Sequence, residues 1–240
     1  MKIAPMLVTK VLLLLCVLAL PGEGIDWKAF DDPSQSLITG PFAKSIGQLP
    51  DADKSAAIKR LRDSLRSSNL EIRRRAALTL KELGDASGVP ALIEAFPQST
   101  GRDRDNLAVA LRILKDKRAI PVLLKALKDE SPYIRSIVLG ALGEVKAEGA
   151  YDAIVALTKD KGMPPSGKTS GPLNCFRNAP ADMACYALGC LGDPRGVPVL
   201  LGLLDDKETQ SAACQALEVI TGEKLGNDAE RWKAWGKSQK

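Results

Sequence analysis

The chain has 240 residues, 45% of them apolar and only 4% aromatic, with a formal net charge of +5. That composition leaves ample apolar surface for a core, favours packed helices over a β-sandwich, and is too weakly basic to argue for nucleic acid. Histidine is absent, which excludes Ser-His-Asp and Cys-His catalysis, histidine metal sites and the commonest general base near neutral pH.

Residues 1–24 read as a cleavable export signal. Lys2 and Lys10 supply a positive start, residues 11–20 an unbroken apolar run, and Pro21 ends it. Gly22 and Gly24 then offer small residues for cleavage before Ile25. The run is too short to cross a hydrocarbon layer of about 30 Å as a helix. A periplasmic or secreted setting is therefore expected. Residues 25–52, punctuated by Gly40-Pro41 and Pro50-Asp51, are expected to form a linker.

From residue 53 to 222 the chain repeats itself. At a shift of 31, Arg73, Leu80, Leu83, Asp85 and Pro90 fall on Arg104, Leu111, Leu114, Asp116 and Pro121. A second such shift reaches Arg135, Leu142 and Val145. A fourth copy follows after a 15-residue insertion and a fifth about 29 residues later. Within a copy, Ile72, Ala76, Leu80 and Leu83 step by four, four and three, one face of a helix. Pro90, Pro121 and Pro198 fall in the first turn of the next helix, where a missing N–H costs little. Neither helix can bury its face alone, so the copies must stack. The expected fold is all-α, a right-handed α-solenoid of about five helix pairs. Residues 223–240, with an N-capping Asn227-Asp228 and with Trp232 and Trp235 three apart, are expected to form a capping helix.

The frame D/S-x-x-I-R-x-x-A-A-x-x-L-x-x-L-G-D, clearest in 70–85, 133–145 and 184–193, resembles the HEAT repeat family. It is most similar to the short bacterial form named for phycobilisome lyases. The resemblance implies a structural ladder of Arg73, Arg104 and Arg135 tying neighbouring turns together, with Asp129 and Asp205 as partners. Ala181 and Gln210 replace the arginine in the last two copies. The resemblance also brings a lyase-like activity on bilins as an alternative function.

GMPPSGKTS, residues 162–170, fits the literal pattern of a phosphate-binding P-loop. A P-loop needs a strand before it and a helix after it; a repeat helix precedes this stretch, and Gly171 and Pro172 follow it. Pro164 and Pro165 remove N–H donors that a phosphate cradle would use. No nucleotide is expected. The stretch belongs to the insertion, residues 161–180, which carries Cys175. A disulfide from Cys175 to either Cys185 or Cys190 is the expected staple in an oxidising compartment.

In HEAT-like arrays the second helix of each pair lines the concave surface, and residues 72–83 with their equivalents are read in that role. The positions facing that groove are Arg74, Leu78 and Lys81, then Val109 and Arg112, then Tyr186, with Asp105, Asp182, Gly140, Gly143 and Gln215 in the same rows. Leu78, Val109 and Tyr186 would be apolar anchors for a partner. The expected function is a non-enzymatic scaffold that binds a protein along this groove, without cofactor, metal or nucleic acid. The nine basic residues between Lys54 and Lys81 carry a second alternative, attachment to an anionic glycan or lipid headgroup.

Overall fold

The computed structural model describes residues 25–35, 37–162 and 179–239, and the chain divides into two compact units, Met1–Ala95 and Phe96–Lys240. The signal-like segment, Cys175 and all of the P-loop-like stretch after Gly162 lie outside the described residues. Every regular element among the described residues is helical.

The first unit contains α1 (Trp27–Asp31), α2 (Thr39–Gly47), α3 (Asp51–Ser64), α4 (Leu70–Glu82) and α5 (Val89–Ala95). Asn69 caps α4, its side chain accepting from the N–H groups of Glu71 and Ile72 at 2.9 and 3.3 Å. Helix α4 packs against α2, α3 and α5 and is the spine of the unit. Residues 25–52 are not a linker. Phe30, Phe42 and Ile46 join Ala57, Leu61, Ala76 and Leu80 in one buried core. Trp27, Phe30 and Phe42 meet ring to ring at 5.2–5.5 Å.

What fixes this segment is Arg75, only 1% exposed. Its Nη1 donates to the carbonyls of Ala29, Phe30 and Asp32 at 2.9–3.1 Å. Its Nη2 donates to those of Pro33 and Gln35, and Nε pairs with Glu71 at 2.9 Å. These carbonyls lie at and beyond the end of α1, where a short helix leaves its acceptors unsatisfied.

The second unit begins with α6 (Gly101–Leu114), α7 (Ile120–Ala126), α8 (Pro132–Glu144) and α9 (Tyr151–Ala156). It continues with α10 (Pro180–Leu191), α11 (Gly196–Leu201), α12 (Gln210–Thr221) and α13 (Ala229–Ser238). The long helices α6, α8, α10 and α12 pack side by side in succession, with the short helices forming the other layer. This is the stacking of a solenoid. Small residues set the spacing: a Cβ on Gly143 would come within 2.7 Å of the Ala187 Cα. At the end, Asp228 caps α13, and fully buried Trp232 donates from its indole nitrogen to the Gly226 carbonyl at 3.0 Å.

The repeat also dictates backbone shape. The long helices end on a left-handed residue at the same frame position: Gly84 (φ 81°), Lys115 (φ 51°), Lys146 (φ 52°) and Gly192 (φ 70°). Two lysines thus occupy a conformation that suits glycine. An aspartate follows the arginine by 25 positions in two copies, and both pairs form. Arg104 pairs with Asp129, and Arg135 with Asp160 at 2.6 Å. Arg135 also donates to the Asp129 and Glu130 carbonyls at 2.7 and 3.1 Å. Arg73 donates instead to the carbonyl of Ser67. Where Ala181 replaces arginine, Asp206 is held by Lys161 at 2.9 Å. Asp205, expected to face an arginine, pairs with Lys233 at 2.6 Å.

Candidate functional site

Helix α10 places Asp182, Tyr186, Gly189 and Cys190 on one stripe, and α12 answers with Ala212, Gln215, Ala216 and Val219. Steps of three and four put each set on one helical face. Glycine and alanine form the floor: a Cβ on Gly189 would lie 3.2 Å from the Ala216 Cα. Larger side chains rise on either side, leaving a concave pocket of about 480 Å³, also lined by Arg112 and Met183. Arg112 reaches it from α6 because α8 offers no side chain in the way. A Cβ on Gly140 would meet the Arg112 guanidinium carbon at 2.7 Å and the Met183 methyl at 2.8 Å.

Four large apolar side chains among the described residues are exposed, and two of them, Tyr186 (42%) and Val219 (67%), line this one pocket. Glu144, at the end of α8, organises its charged edge. Arg112 donates to Glu144 Oε1 from Nε at 2.9 Å and from Nη2 at 2.6 Å, and Lys115 approaches Oε2 at 3.1 Å. Burial alone would raise the Glu144 carboxyl, but the bonds from Arg112 and Lys115 hold it below the usual carboxylate range. The Tyr186 hydroxyl donates to the same carboxylate at 3.4 Å and also hydrogen-bonds the Cys190 thiol. Burial, followed by that bond, pushes the phenol up to about 12. Asp182 has no ion-pair partner among the described residues. Burial raises its carboxyl, a hydrogen bond at Ala179 works against that, and Glu208 and Asp206 add to it.

Of the residues expected to face a groove, Arg112 and Tyr186 come together here, with Asp182 and Gln215 from the same rows. Val109 is half-buried on α6. In the first unit, Arg74 is bound by Glu71 at 2.6 Å and Lys81 is half-buried on the same helix. Leu78 corrects the expectation of an exposed anchor: it is 5% exposed, because residues 75–80 of α4 are covered on every side. Gly140 and Gly143 are likewise not an open stretch of groove, being filled by Arg112 and Met183 and by the α8–α10 contact. The sequence reading missed Met183, Glu144, Cys190 and Val219. The small residues at 189, 212 and 216 were the available signal for a close helix pair with a shallow floor.

The basic stretch of the first unit is largely committed internally. Arg60 pairs with Asp31, Arg62 with Asp85, and Arg74 and Arg75 with Glu71. Cys185 and Cys214 are buried and Cys190 half-buried, and no disulfide links them. The segment leading into the P-loop-like stretch is α9 with a 3-10 turn (Leu157–Lys159), and the Gly162 N–H is already given to Asp160 at 3.0 Å. No group of three or more metal-ligating side chains, and no helix long and apolar enough to cross a membrane, occurs among the described residues.

Within the second unit, helix pairs stacked at a fixed frame make an α-solenoid. Two family models match accordingly: PBS lyase HEAT-like repeat over residues 72–96, and HEAT repeats over residues 103–163. Among solved structures, the complex of CpcE and CpcF of phycocyanin lyase from Nostoc is similar, with a TM-score of 0.54 and 24% identity over 69% of this chain. The present chain spans 65% of that chain's length. YibA of Escherichia coli is similar with a TM-score of 0.53 and 18% identity, over 93% of this chain and 72% of that one. These likenesses show the fold. No curated protein matches the sequence.

Proposed function

We propose that this chain is a non-enzymatic protein-binding scaffold whose contact surface is the α10–α12 pocket of the second unit. The observation that carries the reading is the pairing of Tyr186 and Val219, exposed at 42% and 67%, over one concave floor. Exposed apolar anchors around a preformed concavity, rimmed by ordered polar groups, are what the centre of a protein interface requires. The apolar run of residues 11–20 supports an exported setting for this role.

Two other readings have weaker support. Attachment to an anionic glycan or lipid surface would draw on residues 54–81, where Arg60, Arg62, Arg74 and Arg75 are already paired. A lyase-like role rests on the likeness to the phycocyanin lyase complex, and a shared fold does not carry a shared reaction.

The test compares capture of proteins from native extract by the parent chain and by a Tyr186→Glu/Val219→Glu variant, with circular dichroism confirming equal helicity. A partner kept by the parent and lost by the folded variant supports the reading. Capture indifferent to the variant contradicts it.

A further inference from the structure

The pocket wall has an uneven charge account. Arg112 is bound by Glu144 through two hydrogen bonds of 2.9 and 2.6 Å, and Lys115 sits 3.1 Å from the same carboxylate. Asp182, on the opposite wall, has no ion-pair partner among the described residues. The nearby cation Lys161 is already held by Asp206 at 2.9 Å and Glu208 at 3.1 Å. A purely apolar occupant would strip water from Asp182 and supply no counter-ion for its charge. An acidic occupant would add repulsion from Asp182, Asp206 and Glu208. The Asp182 wall therefore discriminates by sign, since Asp206 and Glu208 outnumber Lys161 beside it, whereas Arg112 and Lys115 outnumber Glu144 on the facing wall.

Two further features describe the occupant. Tyr186 is tied at its hydroxyl to Glu144 while 42% of the residue stays exposed, so an anchored aromatic ring stands four positions from Asp182 on the same helical face. Val219 is 67% exposed, more than a ligand confined to the floor would cover. Covering it takes a chain that runs on past the pocket.

We propose that this pocket receives a lysine or arginine side chain carried on an apolar stretch of a partner polypeptide, with Asp182 as its counter-ion and Tyr186 and Val219 as its flanking contacts. This rests on the protein-binding reading and adds the chemistry of what is bound.

The experiment selects a displayed library of random peptides of about twelve residues, long enough to fill a groove and continue beyond it, on the intact chain. The same selection is made on Asp182→Asn, Asp182→Lys and Tyr186→Glu/Val219→Glu. The parent should select peptides with a Lys or Arg within four positions of Leu, Ile, Phe or Trp. For a synthetic copy of such a peptide, Asp182→Asn should weaken binding about tenfold, roughly the loss of one charge-assisted contact. Asp182→Lys should select Asp or Glu in place of the basic residue. Peptides that depend on Tyr186 and Val219 but show no basic preference, or bind Asp182→Asn equally well, would overturn this inference and leave the protein-binding reading standing. No selected peptide, or peptides indifferent to Tyr186 and Val219, would overturn both.

Discussion

Arg75 and Phe30, 45 positions apart in sequence, are joined by a hydrogen bond of 3.0 Å from the arginine Nη1 to the phenylalanine carbonyl oxygen. It is one of five main-chain carbonyls that the Arg75 side chain gathers from residues 29–35. Replacing Arg75 by alanine leaves those carbonyls and Glu71 without their donor, a loss of about 3–5 kcal/mol by analogy with breaking a buried charge network. Lysine keeps the charge but not the fork, so it should recover only part. Urea unfolding measures the loss. Limited proteolysis should show cleavage within residues 25–48 in the variant before any cut in α4.

The left-handed lysines give a second expectation. Lys146 is exposed and holds φ 52° where the neighbouring copies use glycine or strain another lysine. Lys146→Gly should stabilise the second unit by about 1 kcal/mol, the approximate steric cost of that conformation for a side-chain-bearing residue. Lys115→Gly should gain less, because Lys115 also approaches Glu144 at 3.1 Å. Thermal melts of the two variants side by side check the order.

The arginine rung predicts a pH dependence. Hydrogen bonds from Arg135 hold the Asp160 carboxyl below its ordinary 3.8, with burial opposing and the Gly162 N–H and the Arg135 charge assisting. A depressed folded pKa means stability that is fully present above the unfolded value and is lost as pH falls through the folded one. The melting temperature of Arg135→Gln should therefore lie well below the parent's near neutral pH, and the gap should narrow as pH falls below 3.8. A residual gap should persist, because Arg135 also donates to the Asp129 and Glu130 carbonyls.

Asp105 runs the other way. Burial raises its carboxyl, the charge of Asp129 adds to that, and Arg102 opposes it. An acid whose folded pKa is raised weakens the fold once it ionises, and that cost vanishes as pH falls below the unfolded value. Asp105→Asn should raise the melting temperature at neutral pH by about 2 °C, as a fraction of a kcal/mol would do at this size, and by nothing near pH 3. Asp182→Asn should gain less, since Asp182 lies in the first turn of α10, where a negative charge is favoured. A variant that melts no lower than the parent yet binds peptide less well separates a binding role for Asp182 from a structural one.

Much of the fold was legible because it is local. The frame of Arg, Leu, Leu and Pro fixed helix pairs, and the aspartates after α4 and α6 cap the next turn: Asp85 takes the Ser87 N–H at 2.8 Å and Asp116 the Arg118 N–H at 2.9 Å. The N-terminal helices were not legible, because α1 is only five residues long and its carbonyls are held by an arginine more than forty positions later. Trp27, Phe30 and Phe42 were the overlooked warning, as a solvated linker has little use for three aromatic residues. Leu78 failed for a related reason: periodicity says which face a residue occupies, not how many neighbours cover it. Tyr186 and Arg112, expected in the groove, both line the pocket. That Val219 and Cys190 would join them depends on how closely α10 and α12 approach, which only the Gly189–Ala216 contact reveals.

The most direct measurement places a photoreactive benzoyl-phenylalanine at position 186 or 219, or at exposed Lys117 on the other layer as a control, and irradiates the chain in cells of its source. The account predicts one discrete polypeptide adduct formed from positions 186 and 219 and absent from 117. An adduct formed equally from all three positions, or from 117 alone, would contradict a binding surface between α10 and α12.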